Sequence, residues 1–437
     1  MSDLAADNKQ STSSPTSTVS NEDIESSVPS NLASQELQLA LTEQATEQEL
    51  LKAINHTKVL ILENAQCSLE RKWLVRHLIE LRFKLQECRE AMADPEHPRN
   101  KSSGVSNRTV MGHHLKLQPL LRAAAHRYCD HCTGTIWSVV QAWYECQDCG
   151  YTCHHKCIAL IVRECAHVVA CERGEYELQI CPDRGLSFQK YMCAECKSPL
   201  MLTAPKGLSC LRKLLFPEWS DAKLCDYSGR YFCSACHWNG SAVIPARAVH
   251  NWDLVPQPVS QASLQQLKIT AQRPLINLER VNPKLFALVH ELNLVRRLRR
   301  ELVGLRKYVS VCRRATEERL LWKCDRPYLL ESSDMYSLQD LVDTHAGELP
   351  SKLHSLVDLF TRHVKVECEI CRGRAHICEI CSNDEALYPF DRVAYVCAEC
   401  GAVLHKQCRE SKGSCPRCVR LRDRRAREAN ENENCDT

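Results

Sequence analysis

The chain has 437 residues, with 57 Lys and Arg against 54 Asp and Glu and a formal charge of +3 at pH 7. That length implies two or more domains rather than one core, and so even a balance gives no broad attraction to nucleic acid. No apolar run approaches the roughly 18 residues of a membrane span, and "MSDLAADNKQSTSS" lacks the apolar centre of a secretory signal, so a soluble cytoplasmic protein is expected.

Residues 1–35 are rich in Ser, Thr, Asn and Asp, carry too few apolar positions to offset the entropy of ordering, and read as disordered. Residues 36–92 read as helical, with Trp73, Leu74, Leu78, Leu81 and Leu85 at helical spacing. Residues 93–112, containing "ADPEHPRNKSSGVSN", read as a linker.

The 29 cysteines then dominate the reading. Most fall in C-x-x-C pairs near a His, a spacing that lets one tight turn aim two thiolates at a tetrahedral metal. Zinc is therefore expected, with disulfides and catalytic thiols as the alternatives a reducing cytosol disfavours.

Residues 113–166 carry Cys129, Cys132, Cys146, Cys149, His154, Cys157 and Cys165, preceded by His113 and His114. This pattern resembles the C1 domain family. The resemblance implies two interleaved zinc sites, one of Cys129, Cys132, His154 and Cys157, the other of Cys146, Cys149, Cys165 and an N-terminal histidine. His114 is taken for that histidine, at a longer interval than the family usually keeps, and His113 is the alternative. Where diacylglycerol-binding members keep Pro, Gly and Gln, this chain has His126, Ser138 and Ala142, which argues against that lipid. Trp137, Val139, Val140 and Trp143 remain candidates for contact with a membrane or a protein.

After a linker at 167–190, residues 191–421 carry two further groups of ligand-type residues. The first is Cys193, Cys196, Cys225, Cys233, Cys236 and His237; the second is Cys368, Cys371, Cys378, Cys381, Cys397, Cys400, His405, Cys408, Cys415 and Cys418. Neither count divides by four, but together they number sixteen, enough for four tetrahedral zinc ions. The last eight form a cross-braced set by themselves. Cys368 and Cys371 are surplus to it and are expected to reach back to the first group, so that the two halves share a metal.

Between the halves, Leu285, Leu288, Leu292, Val295, Leu298, Leu302, Leu305, Val309 and Cys312 form one apolar stripe at helical spacing, with Arg296, Arg297, Arg299, Arg300, Arg306 and Lys307 on the other faces. "SLQDLVD" and "LHSLVDLF" predict shorter amphipathic helices, preceded by a proline break in "RPYLLESS". Residues 422–437 read as a basic, then acidic, fraying tail. Cys67, Cys88, Cys153, Cys171, Cys181, Cys210, Cys312, Cys324 and Cys435 receive no metal role.

The segments "CSACHWNGSAVIPARAVHNWDLVPQPVS", "YLLESSDMYSLQDLVD" and "CEICSNDEALYPFD…CAECGAVLHKQC…CPRC" resemble the Rubicon-homology domain family. The expected fold class is mostly α, with small zinc-stabilised β and loop modules: a C1-type finger, then a helical domain holding four zinc ions. The resemblance implies a non-enzymatic adaptor that binds a GTP-loaded Rab GTPase of late endosomes and lysosomes, is recruited peripherally to those membranes, and acts in lysosome positioning or autophagic traffic. It leaves a pleckstrin-homology family M adaptor as a further candidate partner.

A RING-like ubiquitin ligase built on Cys378–Cys418 is the alternative. Against it, His405 falls fifth among the eight ligands, and "RESKGS" between Cys408 and Cys415 offers no large apolar group to a conjugating enzyme. No Walker loop, H-E-x-x-H or G-x-S-x-G motif is present. Twenty ionised thiolates and six Zn²⁺ would carry the formal charge to about −5, which further disfavours nucleic acid as a partner.

Overall fold

The computed structural model describes residues 45–95, 97–100, 107–119, 127–138, 141–202, 219–381 and 383–435. The expected disordered segment 1–35, together with His126, Val139, Val140 and Cys210, lies outside them. The chain divides into two compact units, one of Met1–Arg108, Leu115–Glu145 and Thr152–Ala159, the other of Thr109–His114, Cys146–Tyr151 and Leu160–Thr437.

The first unit begins with a helical hairpin. Thr46 caps α1 (Glu47–Glu63) in a reciprocal box with Glu49, and the Ser68 side chain caps α2 (Leu69–Ala93). Leu50, Ala53 and Ile54 bury against Leu81, Leu85 and Cys88, and Arg89 near the end of α2 bridges to Glu47 at the start of α1, so the pair is antiparallel. Leu74 is also buried, whereas Trp73 is partly exposed and stacks on His77.

A second side of α2 faces the first half of the cysteine module. The Glu87 carboxylate accepts the Ala142 N–H at 2.7 Å and lies 3.3 Å from His97, Asp94 meets His155 at 2.9 Å, and Phe83 stacks on Trp137. Trp143, a candidate for outside contact, is instead fully buried with the Arg127 guanidinium over its ring. The cause is strand alternation: Trp143 lies on Trp143–Cys146, paired with Thr152–His154, and sits opposite the inward-facing His154.

The second unit has one large core that runs from Tyr176 to Tyr388. Helix α3 (Ala166–Arg173) packs on α4 (Gln261–Thr270), and the Tyr176 hydroxyl donates to the Thr270 carbonyl at 2.7 Å. The hairpin Lys223–Cys225 and Arg230–Phe232 turns at Gly229, whose φ of +61° and contact with the Pro182 backbone leave no room for a side chain.

The helical insert packs α5 (His290–Val309) against α7 (Glu348–Arg362), with α6 (Leu338–His345) between them in sequence. The apolar stripe is realised in α5, where Leu292, Val295, Leu298, Leu302, Leu305 and Val309 are buried. Its continuation backwards is not: Val289 is extended and breaks the phase, so the short helix Leu285–Leu288 leaves Leu288 78% exposed. Arg299, expected on the solvated face, is fully buried. Its Nη2 donates to the Ser332 and Met335 carbonyls, and the guanidinium lies 4.4 Å from the Tyr336 ring centroid. Arg297, Arg300 and Lys307 do face solvent.

The segment "RPYLLESSDMYSLQD" forms a buried polar clasp. Ser337 caps α6 in a reciprocal box with Asp340, and that fully buried carboxylate also accepts from Arg326 at 2.5 Å and from the Tyr328 hydroxyl. Asp343 binds the other arm of Arg326. Farther along α5, Gly304 lets Phe390 approach so closely that an added Cβ would stand 2.7 Å from its Cβ. Phe390 stacks with Tyr388 and meets Tyr308 edge-on, which seats residues 388–390 on the helical body. The C-terminal residues keep a second, much smaller core around Cys378, Leu387, Ala394, Val403 and Leu404.

Removing a single partner from the clasp leaves a charge unpaired inside the protein. Asp340→Ala should cost about 3–5 kcal/mol, read as a lower urea midpoint for the helical unfolding transition, because Arg326 loses its buried partner and α6 loses its cap.

Candidate metal centres

Six clusters of Cys and His form among the described residues, the donor atoms of each lying within 4.8 Å of one another. Cys129, Cys132, His154 and Cys157 make the first, within the first unit. His113, Cys146, Cys149 and Cys165 make the second, and Cys193, Cys196, Cys233 and Cys236 the third. The fourth is Cys312, His363, Cys368 and Cys371, and the fifth Cys378, Cys381, His405 and Cys408. In the last, Cys397 and Cys418 approach to 3.5 Å, as do Cys400 and Cys415. The fifth and sixth interleave in sequence, which is a cross-brace.

The turns that build these clusters repeat. In four of them the residue after the second Cys of a C-x-x-C pair has positive φ: Thr133, Gly150, Lys197 and Gly401. Its N–H donates back to the carbonyl of the first Cys, at 2.8 Å for Thr133 and for Gly401. This fold-back points both sulfurs to one side and frees backbone N–H groups for the thiols, as when Cys132 N–H donates to Cys129 Sγ and His405 N–H to Cys378 Sγ.

Electrostatics within the clusters matches a dication. Cys397 is held at about 6 by the N–H groups of Cys400 and Glu399, which outweigh burial. Burial raises Cys378, but the N–H groups of Cys381, His405 and Ile380 bring it to about 6. Their neighbours move the other way: Cys408 is pushed up to about 11 by burial and by Cys381 and Cys378, and Cys418 is raised by Glu399, by burial and by the three thiols beside it. One thiolate forms readily, and each further one is opposed by the first. A bound Zn²⁺ removes that opposition, and four Cys or His donors per cluster are the tetrahedral set of structural zinc, with no position left for water.

The histidines are oriented by second partners. His113 turns Nδ1 to Cys149 Sγ at 3.3 Å and donates from Nε2 to the Arg163 carbonyl at 3.1 Å. His154 likewise turns Nδ1 to Cys132 and donates from Nε2 to the Thr135 carbonyl.

Three expectations about the metal ligands change. His113 rather than His114 joins Cys146, Cys149 and Cys165, because the two lie on opposite faces of the strand His113–Leu117. His113 is fully buried, whereas His114 is exposed and meets Asp148 at 2.6 Å. Cys225 and His237 stand apart from the third cluster, which closes with four thiols: Cys225 faces Ser263 Oγ at 3.4 Å, and His237 Nδ1 accepts the Asn239 N–H. Cys368 and Cys371 do not reach back to the first group of ligands. Their partners are Cys312 and His363, both supplied by the insert.

That fourth cluster is the one that sequence reasoning missed. Cys312 follows the end of α5, and α7 runs into a wider π-turn, His363–Glu367, that swings His363 inward. His363 Nε2 lies 3.4 Å from Cys312 Sγ and 3.7 Å from Cys371 Sγ, and Cys312 meets Cys368 at 3.6 Å. All four residues are buried. Cys312 was absorbed into the apolar stripe. The available signal was the spacing His363-x4-Cys368-x2-Cys371, a histidine just ahead of a thiol pair.

Native mass spectrometry of the full chain should show six zinc ions. His113→Ala and Cys312→Ser should each remove one, whereas His114→Ala and Cys225→Ser should keep all six.

The family model of the Rubicon Homology Domain matches residues 223–423, and that of the phorbol esters/diacylglycerol binding domain (C1 domain) matches residues 113–168. A Drosophila melanogaster protein, "Differentially expressed in FDCP 8 homolog", is 41% identical over 394 residues, covering 87% of this chain and 77% of that one. Its Caenorhabditis elegans namesake is 37% identical over 333 residues, covering 74% and 66%. Human "Pleckstrin homology domain-containing family M member 3" is 39% identical over 240 residues, covering 54% of this chain and 29% of the relative.

Proposed function

Because this chain belongs to the family of the Differentially expressed in FDCP 8 homologs, with a C1 domain followed by a Rubicon homology domain, we propose that it is a non-enzymatic adaptor. In this reading six zinc ions brace it at the clusters described above, and its Rubicon homology domain binds a GTP-loaded Rab GTPase of late endosomes and lysosomes. It is recruited peripherally to those membranes and regulates lysosome positioning and autophagic traffic. The supporting observation is the match over residues 223–423, which takes in the helical insert and its buried fourth cluster.

Four-donor clusters favour architecture over catalysis, since a catalytic zinc keeps a place for water. Val311, Val366 and Ile370 are exposed aliphatics, each within two residues of a donor of the fourth cluster. A metal there would hold them rigidly, and such a patch suits the apolar surface of a GTPase switch.

Diacylglycerol is not the ligand in this reading. The Ala142 N–H is engaged by Glu87 and Trp137 is covered by Phe83, so α2 occupies the loop at which the C1 pattern departs from its lipid-binding members. A RING-like ligase gains little support, because residues 406–412 form a helix with no buried position and no large apolar side chain.

Residues 109–435 with zinc should pull down the late-endosomal Rab in its GTP form and not its GDP form. Val366→Asp with Ile370→Asp should abolish capture at unchanged zinc content. Nucleotide-independent capture, or capture unaffected by the pair, would count against this reading.

A further inference from the structure

The C-terminal zinc module ends in α8 (Pro416–Cys435), which begins between two donors of the sixth cluster, Cys415 and Cys418. Arg417, Arg420, Arg422, Arg424, Arg425 and Arg427 are all exposed on it, against Asp423 as the sole acid in that stretch. Arg417, Arg420, Arg424 and Arg427 recur three or four residues apart, so they rise along one side of the helix. Arg420 makes a bridge to Glu379 in which both side chains are largely exposed, a contact that water weakens.

Beside the arginines lies an apolar tip. Val393 and Val396 are 59% and 44% exposed, and Val419 and Leu421 are 37% and 40% exposed. Their adjacency is built in: Val396 ends the strand Ala394–Val396 immediately before Cys397, Val419 immediately follows Cys418, and the two sulfurs are 3.5 Å apart. Arg392, Lys406 and Lys412, also exposed, add positive charge on the same module.

We propose that this end of the molecule is a docking surface for an anionic lipid bilayer. The arginines meet headgroup phosphates, and Val393, Val396, Val419 and Leu421 enter the boundary between headgroups and acyl chains. A stretch of four to eight basic residues beside aliphatic side chains suits such a surface. Nucleic acid is the poorer match, because α8 carries no aromatic side chain on which a base could stack. The surface shares no residue with the patch of Val311, Val366 and Ile370, so variants of one leave the other's side chains in place and the two failures are distinguishable.

The test is co-sedimentation of the zinc-loaded full chain with vesicles of phosphatidylcholine alone, or of phosphatidylcholine with phosphatidylserine. The anionic vesicles should bind at least about tenfold more tightly, since each arginine near the surface contributes roughly fivefold. The advantage should shrink as salt shortens the screening length. Arg420→Glu with Arg424→Glu and Arg427→Glu, none of them a donor, should remove most of it with six zinc ions retained. Val393→Ser with Val396→Ser should lower binding several-fold while sparing the charges. Equal binding to both vesicle types, or an unchanged triple variant, overturns the proposal. So does arginine-dependent binding to single-stranded RNA or an acidic protein without binding to vesicles.

Discussion

Sulfur atoms gathered around one point repel one another as soon as more than one is ionised, and this repulsion governs how the molecule can be built. In the fifth and sixth clusters backbone N–H groups make one thiolate easy to form, while Cys408 and Cys418 are pushed the other way by burial and by the thiols beside them. A dication is the simplest way for all four donors to coexist at these distances. Zinc capture and folding are then one process, worth on the order of 10–16 kcal/mol per structural site.

Hydrophobic packing divides the work unequally with the metals. The core from Tyr176 to Tyr388 gathers long apolar side chains from α5, α6 and α7. The C-terminal cluster around Cys378 and Leu404 is small, and four of its buried members are themselves cysteines. A module with that little core depends on its ions for shape. The two bodies are joined by residues 388–390, where Phe390 fits over Gly304 and stacks with Tyr388. The halves of the Rubicon homology domain are thus united by packing rather than by a shared metal.

Much of this was legible in the sequence, and the failures have physical causes. C-x-x-C pairs announce their geometry because a single tight turn brings the sulfurs together, so the thiol pairs themselves could be read directly, while the sorting of the first module's ligands into two sites came with the C1 resemblance. Cys312 could not, because a buried thiol at helical spacing looks like any other apolar position, and His363 owes its inward direction to a π-turn. His113 and His114 differ only in strand phase, which spacing alone leaves open. Arg299 was misplaced because a guanidinium that reaches backbone carbonyls and an aromatic face can be buried without a carboxylate. Leu288 was misplaced because the periodicity continues through the break that Val289 introduces.

The fourth cluster differs from the knuckle sites in one further respect. In a C-x-x-C pair two donors sit three residues apart, so a nascent segment can hold an ion loosely before anything else has formed. Cys312 stands 51 residues from His363 and 56 from Cys368. Closing a loop of that size is entropically costly until α5 and α7 have packed. His363, Cys368 and Cys371 lie within nine residues and can gather locally, but Cys312 joins them only once the helices have packed, so a complete donor set here depends on the helical body.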